Sequence, residues 1–106
     1  MIIENQEFIK ELGESNTLKI NNTTYNHSKL LEELLELSEV LIKMINKTEN
    51  KQPKQEKLVE EVGDVLLRLE VLIIRENIQE EVSKRINNKI KQLDTWRTEG
   101  KYKTGL

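Results

Sequence analysis

Residues 57–73 read KLVEEVGDVLLRLEVLI, and the kind of element they form decides how the rest of the chain is read. Leu58, Val62, Leu66, Leu69 and Ile73 recur at three- and four-residue steps, the period of an α-helix with one apolar face. Yet Gly63 and Asp64 sit in its middle. Glycine costs roughly 1 kcal/mol against alanine in a helix interior, and aspartate competes for backbone hydrogen bonds. A segment built only to pack would carry neither.

Working outward, about 100° of turn per residue places Glu61 and Asp64 along the edge of that stripe. Leu67, Val71 and Ile74 form a second apolar strip on the far side of the acids. Two helices cannot bury both strips, which calls for another helix or a second subunit. Upstream, a long helix is expected from about 28 to 47, started by Asn26 or Ser28 as cap. Its apolar face is Leu30, Leu34, Leu37, Leu41, Met44 and Ile45, with Glu33 and Glu36 along one edge. TENKQP is the break, and Pro53 suits the first turn of the next helix, over 54–76. Asn77 marks a turn before a last helix carrying Ile78, Val82, Ile86, Ile90 and Leu93. Residues 1–12 show a short helical pattern ended by Gly13, 14–27 are a polar connection, and 98–106 read as an irregular tail. The expectation is a single all-α domain over 1–106, a helical bundle built on a long antiparallel helix hairpin and completed by oligomerisation.

The bulk numbers agree. The chain has 106 residues, 34% charged and only 4% aromatic, a profile of amphipathic helices rather than sheets. With 17 basic and 19 acidic residues the net charge is -2, so no strong field draws nucleic acid or an anionic membrane. No apolar run approaches the roughly 20 residues of a membrane span. The absence of cysteine excludes disulfides and thiolate metal sites and makes a cytoplasmic setting the expectation.

The spacing of the acids adds a geometric argument. Helices joined by a short loop run antiparallel, so residues stand level when their numbers share one total. Glu36 with Glu61 and Glu33 with Asp64 share a total whose midpoint falls between Thr48 and Glu49, inside the break. Four carboxylates then converge and repel one another at low effective dielectric. A hard divalent cation such as Mg²⁺ or Mn²⁺ removes that repulsion, and Mg²⁺ readily takes phosphate oxygens. Gly63 would let a neighbouring helix or ligand approach closely. The alternative is a helical dimerisation module whose edge acids pair with Lys and Arg across an interface.

LLEELLELSEVLIK followed by LVEEVGDVLLRLEVL resembles the MazG-like all-α nucleoside triphosphate pyrophosphohydrolases, the group that includes the dimeric dUTPases, over residues 27–97. The resemblance implies a bundle that forms a homodimer or dimer of dimers, with Glu33, Glu36, Glu61 and Asp64 as catalytic Mg²⁺ ligands. It also implies cleavage of a nucleoside triphosphate to the monophosphate and pyrophosphate. Lys43 looks like the basic residue many members carry after E-x-x-E. Leu93, Trp96, Arg97 and 102-YKTG-105 are similar to the phosphate-contacting tail of the dimeric dUTPases, although Lys91 and Asp94 stand where asparagine is expected there. Lys43, Lys89, Arg97, Lys101 and Lys103 are the expected substrate-binding cations, set to offset charge on a departing pyrophosphate. A regulatory bundle that binds nucleotide without hydrolysing it remains a third reading. The lone His27 and the lack of a Gly-rich loop after a strand argue against a catalytic triad and a P-loop.

Overall fold

A computed structural model describes residues 5–14, 22–46 and 52–100. Among these, four α-helices and no strand occur: α1 (Gln6–Glu14), α2 (Thr23–Ile45), α3 (Gln55–Glu76) and α4 (Gln79–Thr98). No helix of the described residues is long and apolar enough to cross a membrane. Contacts fall into two units, Met1–Glu76 with α1 to α3 and Asn77–Leu106 with α4.

Asparagine caps two of the starts. Asn5 Oδ1 accepts from the Phe8 backbone N–H at 3.1 Å, and Asn22 Oδ1 accepts from that of Tyr25 at 3.1 Å. Helix α2 therefore begins five residues ahead of Ser28. Asn26 is not its cap but sits inside the first turn, buried, its Nδ2 donating to the Asn22 carbonyl at 2.9 Å. Helix α1 runs through Gly13 to Glu14 rather than stopping before it. Ahead of α3, the Lys54 carbonyl accepts from Lys57 and Leu58, so Pro53 lies just outside the helix rather than in its first turn. Gln52 Nε2 donates to the Asn46 carbonyl at 3.1 Å and so ties the end of α2 to the entry of α3.

Contacts between α2 and α3 run in opposite order along the two helices. His27 Nε2 lies 3.6 Å from Glu76 Oε1 at one end, Glu33 meets Glu61 and Asp64 in the middle, and Lys43 shares a hollow with Pro53 at the other end. The buried residues along this seam are Leu30 and Val40 of α2 and Glu61 and Val65 of α3. That corrects the expected core stripe of α2. The acids occupy the contact line itself, so Leu34, Leu41, Met44 and Ile45 are turned outward and stay exposed.

The second apolar strip of α3 has its cover. Ile9 and Leu12 of α1 form a buried cluster with Val71, and Leu67 and Ile74 pack against it. Arg75 reinforces this docking, donating from Nη1 to the Leu12 carbonyl at 3.5 Å and from Nη2 to the Thr23 hydroxyl. One guanidinium thereby joins the end of α1 to the start of α2.

In the second unit Asn77 takes a left-handed φ of 53°, a conformation asparagine tolerates better than most residues and one that ends α3. Helix α4 closes with Gly100 at φ 75°, its N–H donating to the Arg97 carbonyl at 3.1 Å, a glycine stop of the usual C-terminal kind. No residue of α4 is buried; Ile86 and Ile90 are exposed.

Candidate metal centre

Three of the four acids singled out in the sequence come together. One oxygen each from Glu33, Glu61 and Asp64 lies within 4.8 Å of the other two. Glu61 is only 1% exposed, and its Oε2 and the Glu33 Oε2 are buried without a hydrogen-bond partner. An orphaned carboxylate oxygen in that position carries a desolvation cost that folding alone does not repay.

Glu36 stands beside this trio rather than within it. The Glu61 carboxylate facing it favours a proton on Glu36, as a hydrogen-bond acceptor and by its negative charge, and pushes it up to about 7, with burial and Glu33 adding to the rise. Glu61 moves the other way. Lys57 Nζ lies 2.8 Å from Glu61 Oε1, and this charge-assisted bond holds the Glu61 carboxyl below its ordinary value despite burial. Glu61 in turn raises Lys57 above the usual lysine range. Among the described residues, Glu33 and Asp64 have no ion-pair partner.

Carboxylate oxygens alone make a hard donor set, suited to Mg²⁺, Mn²⁺ or Ca²⁺ and unsuited to soft metals. Oxygens about 2.1 Å from one octahedral ion lie about 3.0 Å apart when cis and about 4.2 Å when trans, so the three oxygens, within 4.8 Å of one another, would draw inward to close on it. The residues present fit such an ion.

Next to the acids lies a hollow of about 550 Å³, walled by Glu36, Glu39 and Lys43 from α2 and by Lys54, Lys57 and Glu60 on the other side, with Val40 and Pro53 among its lining. Lys43 shares this hollow with Glu36, while Glu33, Glu61 and Asp64 are not part of its lining. Lys54 and Lys57 were not among the residues singled out in the sequence, although Lys57 stands one helical turn before Glu61, a spacing that puts it on the same face.

The other expected cations are placed differently. Lys89 and Arg97 belong to α4, where the Lys89 ammonium sits 5.2 Å from the centre of the Trp96 ring and donates to Gln92, and Arg97 pairs with Asp94. Lys101, Lys103 and the rest of 102-YKTG-105 lie outside the described residues. In the first unit the Tyr25 ring is flanked by Lys29 at 5.7 Å and Arg68 at 5.9 Å, a cation–π arrangement that anchors α2 against α3. Among the described residues no neighbour accounts for Gly63: a Cβ there would meet nothing within 4 Å, so the close approach expected at this glycine is not made by any of them.

Comparison with known proteins brings no match: no family model, no curated protein and no solved structure matches the chain.

Proposed function

We propose that this chain is a Mg²⁺-dependent nucleoside triphosphate pyrophosphohydrolase, converting an NTP or dNTP and water to the monophosphate and pyrophosphate. The observation that carries the reading is the trio Glu33, Glu61 and Asp64, two of whose oxygens are buried without a partner. The pairing of E-x-x-E and E-x-x-D on facing helices, similar to the MazG-like enzymes, supplies the reaction class.

Glu33, Glu61 and Asp64 would hold the ion, which supplies neutralisation of the triphosphate charge and acidification of water. Glu36, outside the trio but facing Glu61, would take the proton of the attacking water. Lys43, on the wall of the adjoining hollow, would meet phosphate oxygens and stabilise charge on the departing pyrophosphate. Lys89, Arg97, Lys101 and Lys103 complete the proposed set of phosphate-binding cations. Mn²⁺ would substitute for Mg²⁺, and the cysteine-free composition suits a cytoplasmic setting.

The fold proposed for this activity is a long antiparallel hairpin of α2 and α3, completed by a homodimer or dimer of dimers. Exposed apolar surface supports the assembly. Leu31, Leu35, Ile42 and Ile45 are 59%, 61%, 63% and 79% exposed and lie within about 80° of one another around α2, on the side away from α3. That same stripe favours a second reading, a non-catalytic helical dimerisation or regulatory nucleotide-binding module.

A screen of canonical and modified nucleoside triphosphates for pyrophosphate release, with Mg²⁺ and with Mn²⁺, separates the two. Release from at least one substrate is expected. No release from any of them leaves the dimerisation module standing.

A further inference from the structure

Lys57 is an unusual surface lysine. Its ammonium contacts Glu61 at 2.8 Å, yet its own side chain is 51% exposed while that of Glu61 is 1% exposed. The order Lys then Glu four residues later is the weaker arrangement on an isolated helix, because it opposes the helix dipole. Ordinary helix-surface pairing therefore does not account for the contact. The unmet charge of a buried carboxylate does, since among the described residues no other cation pairs with Glu61 and its Oε2 has no hydrogen-bond partner. The bond is made from the side of the hollow, which Lys57 lines together with Lys43 and Lys54.

We propose that Lys57 is a built-in stand-in for the divalent cation: it neutralises Glu61 while the metal is absent, gives way when the metal binds, and then turns its ammonium into the hollow to hold a polyphosphate. This rests on the metal-centre reading above. A lysine suits the task because its ammonium is a compact charge on a flexible four-carbon stem, able to change partners without moving the backbone. An arginine fork locked to the carboxylate would be harder to displace. The arrangement gives the empty protein an acid cluster that is already drawn together, and it couples metal to substrate, because the ion's arrival frees a cation for the phosphate. Lys43 and Lys54 line the same hollow, so the released ammonium joins two others rather than acting alone.

The test is calorimetric titration of the full chain with Mn²⁺ in the absence of nucleotide, for the wild type, Lys57→Gln and Lys57→Met. With the internal competitor removed, both variants are expected to bind Mn²⁺ about tenfold more tightly, a change of about 1.4 kcal/mol. Titration of the Mn²⁺-saturated proteins with inorganic tripolyphosphate is expected to show the opposite, a loss of about tenfold in both variants. Unchanged or weaker Mn²⁺ binding in the variants, with normal binding by the wild type, overturns the stand-in role while leaving the metal centre intact. Tighter Mn²⁺ with unchanged tripolyphosphate overturns the second half of the proposal. Wild-type protein that takes up no Mn²⁺ overturns the metal centre and this inference together. Removing Lys57 leaves the buried Glu61 carboxylate without its cation, so both variants should melt below the wild type in the absence of metal; melting curves of the variants fix a temperature at which each is folded for the titrations, and the lysine Nζ resonance of the wild-type protein followed during Mn²⁺-free Mg²⁺ titration reports the same change of partner without any substitution.

Discussion

Glu36 on α2 stands against Glu61 on α3, and the two carboxyls perturb one another across the seam, Glu36 upward and Glu61 downward. Glu36 is pushed up to about 7 from an ordinary 4.5, which makes the metal-free protein sensitive to pH in a defined window. Between about 4.5 and about 7 the folded chain keeps a proton on Glu36 that the unfolded chain has already released. Stability should therefore fall as pH rises through that window and level off above it. The lowered value at Glu61 acts with opposite sign but only below its ordinary range, so the two effects do not cancel. Thermal melts in chelator at pH 5 and pH 8 check this: the melting temperature should be higher at pH 5, and Glu36→Gln should flatten the difference.

The same proton competes with metal. Mg²⁺ favours the ionised cluster, so the rise in melting temperature that it produces should grow from pH 5.5 to pH 8. At Mg²⁺ near a hundred times its dissociation constant, binding adds about 2.7 kcal/mol, which for a chain this small means about 10 °C or more. A melt that ignores Mg²⁺ at every pH would remove the metal centre.

Asp64→Asn separates a site from a scaffold. Removing one like charge from the trio relieves repulsion, so the metal-free variant should melt at or above the wild-type temperature. Its Mg²⁺-induced gain should vanish, with metal affinity reduced by more than the 10–100-fold that outer-shell changes cost. Loss of stability in the absence of metal would instead mark Asp64 as a structural partner.

Gly63 faces open space, so alanine there should raise helix stability by about 1 kcal/mol in the chain on its own. The measurement is a denaturation midpoint for Gly63→Ala. A lower midpoint would mean that another molecule comes close at that position.

Ile9→Ala should cost about 2–5 kcal/mol, because Ile9 is 1% exposed and seals α1 onto Val71. Leu35→Glu should leave the stability of the single chain nearly unchanged, as Leu35 is 61% exposed, while abolishing any dimer or tetramer. Urea titration reads the first and light-scattering mass the second.

The helices were legible because their apolar period is long and regular, and the level placement of Glu33 with Asp64 followed from counting alone. The start of α2 was not. Thr23 and Thr24 are weak helix formers, and the cap at Asn22 outweighed them. The packing face of α2 was misread for a more instructive reason. A helical wheel assigns the whole apolar stripe to the core and acids to the rim, whereas here the acids hold the seam, Leu30 stays buried, and Leu34, Leu41, Met44 and Ile45 face outward. Hydropathy alone cannot see that inversion, because it takes the partner helix to place Glu61 under cover. Lys57 escaped notice likewise: as a sequence neighbour of Glu61 it is ordinary, and only the burial of its partner sets it apart.

The bond from Gln52 to the Asn46 carbonyl closes the joint between α2 and α3 as a clamp. Length changes divide accordingly. Extra residues between the clamp's jaws cost only loop-closure entropy, about 0.6 kcal/mol for each doubling. A single deletion inside α3 between Gln55 and Glu61 rotates the rest of the helix by about 100° and shifts it by about 1.5 Å, carrying Glu61 and Asp64 off the seam at once. Insertions and deletions in descendants of this chain should thus gather at the turn and be purged from the stretch of α3 between Gln55 and Glu61.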